Sequence, residues 1–436
     1  MSNTLNSIIG QFAELEKRLN GSKTLPIHKL RTEALQGLKE IGLPGNKHEE
    51  YKFTRLTSLL EKNLDLDQAN ASSNISETQI AQSIYQNLDG SALVFINDEL
   101  SEEFSQLHAE HKDILIQDLK KASKDQPEGF NHYFSDNKTF NSDGFLAWNT
   151  ALTEKGVHIR VEANKTYEKP IALYFISDAQ SQQVINSPRV LIELGENSEA
   201  TFIEKFVTIG EHFSFNNSVV EVIVDKATRG KYIKIQDDSE KAIQMNSTQV
   251  YQPENSTFSV FTFTFSGKMV RNNLNIVVDG QGSEANMYGL YLTKGDTHVD
   301  NHTSVDHRQP HSESNELYKG IMDENSRGVF NGKIYVRQAA QKTNAFQSNN
   351  NILLSDDATV NTKPQLEIWA DDVKCSHGCT TGQLDEEQIF YLRSRGVEKN
   401  MAQSILLQAF AKDVLDKVPT TEIREQLETI ITDRLG

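Results

Sequence analysis

The chain has 436 residues and a formal net charge of -17, from 44 Lys and Arg against 61 Asp and Glu. That is long enough for a large core and too acidic for a nucleic-acid partner, which would require a basic face. The start, Met1-Ser-Asn-Thr-Leu-Asn, has no basic region followed by an apolar run, no apolar stretch nears the ~18 residues that span a bilayer, and two cysteines make no disulfide framework, so a cytoplasmic protein is expected.

Residues 4–20 read as a helix, with Leu5, Ile8, Ile9, Phe12, Leu15 and Leu19 on one face. Pro26 and His28 open a second helix, periodic through Leu30, Ala34, Leu35, Leu38 and Ile41 until Gly42 and Pro44 end it. Residues 61–82 are polar and read as loop or weak helix. Ser91–Ile96 and Ile114–Leu119 are short apolar strands, and 121–143 is expected to be a linker. From about Gly156 strands follow one another: Val157–Val161, Ile171–Ile176, Val190–Leu194, Ala200–Val207, Val219–Val224 and Tyr232–Ile235. In Thr257–Phe265 the residues Phe261, Phe263 and Phe265 fall on one face and Thr262 and Thr264 on the other. Small or polar turn residues recur at Ala200, Arg229, Thr257, Ala285, Ser314, Thr343 and Asp372, a step of 28 or 29 residues. A constant step marks a solenoid, and strands without helices favour a right-handed β-helix over a β-sandwich.

Gln365–Asp372 reads as the last strand, followed by a loop holding Cys375, His377 and Cys379. Asp385 then caps a helix, with Gln388 in the capping-box position and Gly396 as its stop. Ala402, Leu406, Phe410 and Val414 form a stripe on a further helix ended by Pro419, and a last helix runs through Ile423, Leu427, Ile430 and Ile431. These helices are expected to cap the solenoid end and offer a docking stripe. The expected division is 1–150 helical and mixed, 151–376 β-helix, and 377–436 helical.

Cys375 and His377 are suited to iron or a cluster edge, but two ligands cannot close a four-coordinate site. From the residues alone, a packed thiol and a surface imidazole in a turn is the simpler reading. His298, His302, His307 and His311 lie among strands and turns, where a hydrogen-bonded structural cluster is expected over a metal site. The acidic pairs Asp356-Asp357 and Asp371-Asp372 point to opposite faces of a strand, which argues against a polysaccharide-cleaving β-helix enzyme. No phosphate-binding loop of the G-x-x-x-x-G-K-[S/T] type occurs, so any ATP must be bound by a partner.

Long runs carry a resemblance: E-E-Y-K-F-T-R-L at 49–56, H-V-D-N-H-T-S-V-D-H at 298–307, V-F-N-G-K-I at 329–334, Q-K-T-N-A-F-Q-S-N-N-N-I-L-L-S-D-D-A at 341–358, T-K-P-Q-L-E-I at 362–368, A-D-D-V-K-C-S-H-G at 370–378, G-Q-L-D-E-E at 382–387 and F-Y-L-R-S-R-G at 390–396. The chain resembles the SufB/SufD family of SUF-system iron–sulfur cluster assembly scaffolds, on its SufD side. The Lys374-Cys-Ser-His-Gly run and the scarcity of other cysteines favour that side over a SufB-type subunit. The resemblance implies a β-helix, no enzymatic activity of the chain itself, and a complex with SufB and the ATPase SufC, with a homodimer as the alternative when SufB is absent. It implies that Cys375 and His377 share a transient cluster or iron with SufB, that the helices from Asp385 onward, with Ala402, Leu406, Phe410 and Val414, hold SufC, and that SufC binds the ATP. Cys379 departs from the family pattern and is expected to be inert. Removal of 385–436 is expected to abolish ATPase binding and leave the β-body folded.

Overall fold

The computed structural model describes residues 3–19, 24–45, 47–68, 70–125 and 143–435. The chain passes back and forth between two facing sheets, so that successive coils stack strand on strand as a β-solenoid. The front sheet runs Glu99–Leu100, Ser91–Ile96, Ile171–Asp178, Glu199–Ile209, Arg229–Asp237, Thr257–Ser266, Glu284–Thr293, Glu313–Met322, Asn344–Leu353 and Lys374–Gly382. The back sheet runs from Leu115–Asp118 through Val157–Val161, Arg189–Leu194, Ser214–Val224, Ala242–Gln252, Met269–Val278, His298–His307 and Arg327–Val336 to Thr359–Ile368. Pairing is parallel except at the beginning, where Glu99–Leu100 and Leu115–Asp118 each join antiparallel. Strands covered on both faces lose the in–out alternation, and Ile171–Asp178 is buried along its whole length.

The repeat is real but elastic. Glu199, Arg229, Thr257, Glu284, Glu313, Asn344 and Lys374 are the in-register residues, so the step varies from 27 to 31. The turn residues marked by sequence fall on or within two residues of these. Each front strand from Glu199 to Asn344 is preceded, two residues earlier, by a left-handed residue: Asn197, Ala227, Asn255, Gly282, His311 and Lys342. That conformation reverses the chain into the next coil, and only some of these residue types favour it.

Interior side chains form columns. One is Phe202, Tyr232, Val260, Met287, Glu316, Gln347 and His377; the next but one is Phe206, Gln236, Thr264, Tyr291, Gly320, Asn351 and Thr381. Both begin aromatic and end polar. At the aromatic end Phe95, Phe175 and Phe206 stack, with centroids 4.8 and 5.1 Å apart. At the polar end buried amides bond one another, as Asn351 does Asn349 at 2.8 Å.

Helices cover the two outer faces. Asn3–Arg18, Pro26–Ile41 and Gly144–Leu152 pack on the back sheet, with Leu5, Ile8, Phe145 and Trp148 against Phe215, Ile243 and Met245. Residues 126–142, most of the expected linker, lie outside the described residues. The tail helices Lys399–Leu415 and Thr421–Leu435 pack on the front sheet, where Leu407, Ala411, Val414, Ile423 and Leu427 meet Phe261, Phe263, Leu290 and Leu292. The tail therefore does not cap the solenoid end. The apolar row on the sheet face needs cover, whereas the end is polar. Deleting 385–436 would uncover that row, so the β-body expected to stay folded would do so with Phe261, Phe263, Leu290 and Leu292 exposed. Among the described residues no helix is long and apolar enough to cross a membrane.

The loop expected around Cys375 is a strand. The back sheet ends with Thr359–Ile368, the chain turns over 369–373, and Lys374–Gly382 adds one more strand to the front sheet, past the expected boundary at 376. Its Gly, Ser, Thr and Cys content reads as a loop because it lies at the edge, with no second strand to pack against.

Candidate functional site

Two edge strands form the open end. Lys374–Gly382 pairs only with Asn344–Leu353, and Thr359–Ile368 only with Arg327–Val336, so each has one free edge among the described residues. The Lys374 N–H donates to the Thr343 carbonyl at 2.9 Å. Alternation then directs the N–H groups of Cys375, His377, Cys379 and Thr381 to the free edge.

The same alternation places these four side chains on one face. They continue the interior rows of Ala345, Gln347, Asn349 and Asn351. Cys375 is half-buried against Leu366, Val373, Ala345 and Ala370. Burial pushes its thiol up from the ordinary value, opposed by the Ala345 N–H, which favours the protonated form. His377 and Cys379 are exposed. Same-face neighbours on a strand are ~6.6 Å apart, and Cys375 and Cys379 ~13 Å. Metal–ligand bonds of about 2.0–2.3 Å let Cys375 and His377 share one ion but not both cysteines. Among the described residues no three His, Cys, Asp or Glu are arranged around a common metal position. Cys375 and His377 therefore offer one thiol and one imidazole on the same face, too few to close a four-coordinate site by themselves.

The tail presents a different surface from the expected one. Ala402 and Val414 are buried, while Leu406 and Phe410 are half-buried, with the Lys319 ammonium 4.3 Å from the Phe410 ring. Phe410 and Val414 of that stripe pack against the chain's own front sheet, while Leu406 lines an open hollow with Asp385, Tyr391 and Ile405. Asp385 caps Glu386–Ser394 as expected, accepting from the Glu387 and Gln388 N–H groups. The uncovered apolar side chains beside it are Phe390 at 73%, Tyr391, Met401 and Ile405. Sequence patterning assigns these four no docking role, since Met401 and Ile405 lie beside the periodic stripe and Phe390 and Tyr391 only open the run at 390–396.

The 49–56 segment straps the outer back sheet near the open end. Glu50 binds Lys333 at 2.6 Å and His302 at 3.3 Å, and Glu49 reaches Lys363 on the terminal strand. The His302 and Lys333 contacts hold the Glu50 carboxyl down at about 2 although burial opposes them. Arg271 pairs with buried Asp300 at 2.6 Å and stacks 3.9 Å from the Tyr51 ring. Thr54 bonds His298 at 2.9 Å and Asp300. His307 bonds Ser312 and Ser314, and burial lowers it to about 4. His298, His302 and His307 are thus structural, as expected; His311 is a left-handed turn residue.

Comparison with known proteins agrees with this architecture. The profile described as "SUF system FeS cluster assembly, SufBD core domain" matches residues 175–410, and that of the "SufBD protein N-terminal region" matches 2–173. The chain is 31% identical to the iron–sulfur cluster assembly SufBD family protein slr0076 of Synechocystis, over 95% of this chain and 93% of the relative. It is 30% identical to the iron–sulfur cluster assembly protein SufD of Escherichia coli, over 92% and 91% of the two chains. It is 29% identical to the chloroplastic protein ABCI7 of Arabidopsis thaliana, over 95% and 88%. A solenoid matched along its core and a helical region matched at its N-terminus place the chain in the SufBD family of iron–sulfur cluster assembly proteins.

Proposed function

We propose that this chain is a SufD-type scaffold of a cytoplasmic SufBCD complex, with no catalytic activity of its own. The observation that carries the reading is the open end: two long strands with free edges flank a row headed by Cys375 and His377. A SufB subunit adds its own edge strands there, continuing both sheets. The partner supplies the missing ligands, and iron or the growing cluster is held between the chains as cargo. Cys375 loses its proton on binding it. SufC binds the tail through Phe390, Tyr391, Met401 and Ile405, binds the ATP, and on closing strains the SufB junction.

The test is co-expression with SufB and SufC, followed by measurement of cluster content and subunit ratio in the purified complex. Cys375→Ala/His377→Ala should keep the subunit ratio and lose the cluster. Normal cluster content in that double variant would reduce this end to a structural corner.

A further inference from the structure

His377 is the last rung of the interior column that runs through Glu316 and Gln347. The rung beneath it is unusual. Gln347 is 3% exposed, and its Oε1 is buried with no hydrogen-bond partner. Its Nε2 is committed, donating to Glu316 Oε2 at 2.7 Å. Glu316 is fixed in turn by Thr303, whose hydroxyl donates to Oε1 at 2.5 Å across the interior. Gly332 makes room for the carboxamide: a Cβ there would lie 2.2 Å from Gln347 Nε2. The amide is therefore held from below, with its nitrogen turned inward and its oxygen left over.

A buried carbonyl oxygen without a donor has given up its hydrogen bond to water and gained none in return. The next side chain in register is the exposed His377 imidazole, which is free to turn. We propose that Gln347 is the positioning residue for His377: its Oε1 accepts a hydrogen bond from one imidazole N–H, fixing the tautomer whose other nitrogen faces the open end as a ligand. Metal-binding histidines commonly donate their second N–H to a fixed acceptor, and losing that acceptor typically lowers metal affinity or activity about 10–100-fold. The inference rests on the reading of His377 as a shared ligand, but the hydrogen bond itself belongs to this chain.

The experiment uses the full chain labelled with 15N-histidine. Long-range 1H–15N spectra report each imidazole tautomer, and His377→Ala assigns the signal. Wild type should hold His377 in one neutral tautomer. Gln347→Met, which keeps the shape and removes the acceptor, should give a mixture, with the His298 and His307 signals unmoved. Gly332→Ala, which displaces the carboxamide without altering it, should do the same and serves as the second variant if Gln347→Met disturbs the fold. An unchanged His377 tautomer in both overturns the proposal. In the co-purified complex, Gln347→Met should lower cluster content about 10-fold. Normal cluster content in His377→Ala, with the tautomer effect present, would uphold the hydrogen bond and remove the proposed cluster role.

Discussion

The two ends of the solenoid differ in how they finish. Near residues 91–118 the front sheet stops at the two-residue strand Glu99–Leu100 and the back sheet at Leu115–Asp118, both antiparallel, over an interior plugged by Phe95, Phe175 and Phe206. At the other end the sheets stop at full length, in Thr359–Ile368 and Lys374–Gly382, and the interior is amide, thiol and imidazole. Short, turned-back strands blunt an edge, whereas a long parallel strand invites another. Apolar plugging marks the end that excludes water, whereas the polar columns leave hydrogen-bonding groups exposed at the other.

The comparison breaks most visibly at the plug. Phe175→Ala should cost about 3–5 kcal/mol, read as a shift of the denaturation midpoint. A loss below about 1 kcal/mol would mean that the stack does not seal that end. At the open end, Thr381→Pro removes a donor that faces the free edge and leaves the ladder to Asn344–Leu353 intact. The variant should fold normally and bind SufB at least about 100-fold more weakly, measured by titration; unchanged affinity would show that the edges are not the contact. On the tail, Phe390→Ala/Tyr391→Ala should alter stability by less than about 0.5 kcal/mol and weaken SufC binding about 10-fold or more. Wild-type SufC affinity would move the docking surface elsewhere.

The polar interior should also respond to pH. Burial raises Glu316 to about 7, with Thr303 and Gln347 opposing it. The unfolded carboxyl ionises first as pH rises, so this stabilising contribution is present below the ordinary value near 4.5 and lost as pH rises through about 7. Glu316→Gln should flatten that slope and gain on the order of 1 kcal/mol over wild type at pH 8, with no gain at pH 4. Equal slopes would mean that Glu316 is ionised throughout. The smallest effect is at the rim: Cys375→Ala should change the stability of the isolated chain by less than about 1 kcal/mol.

Much of this was legible in the chain itself. Pro26 and Gly42 mark the ends of a helix found at Pro26–Ile41, and Val157–Val161 and Ser91–Ile96 are found as read. The turn residues reveal the coil step because each coil must reverse at the same place. Back-sheet strands such as Ser214–Val224 were harder to bound, since their buried Asn216, Asn217 and Ser218 do not read as apolar: Asn217 donates to the Phe145 carbonyl of the covering helix, and Asn216 accepts from Ser177 and Asn186. The last strand was hidden because an edge carries no burial pattern until its neighbour arrives. The tail stripe was seen, but a stripe does not say which surface covers it. Lys319 and the phenylalanine row at 261–265 decide that, and they are distant in sequence.

The blunted end near Glu99–Leu100 also limits how large an assembly can grow. A solenoid able to accept strands at both ends has a valence of two and propagates head to tail into filaments. This one has one blunted end, so edge pairing of the kind proposed above would end once two solenoids had met, whatever their concentration. Removing the antiparallel strand at 99–100 would restore the second valence and with it the risk of polymer.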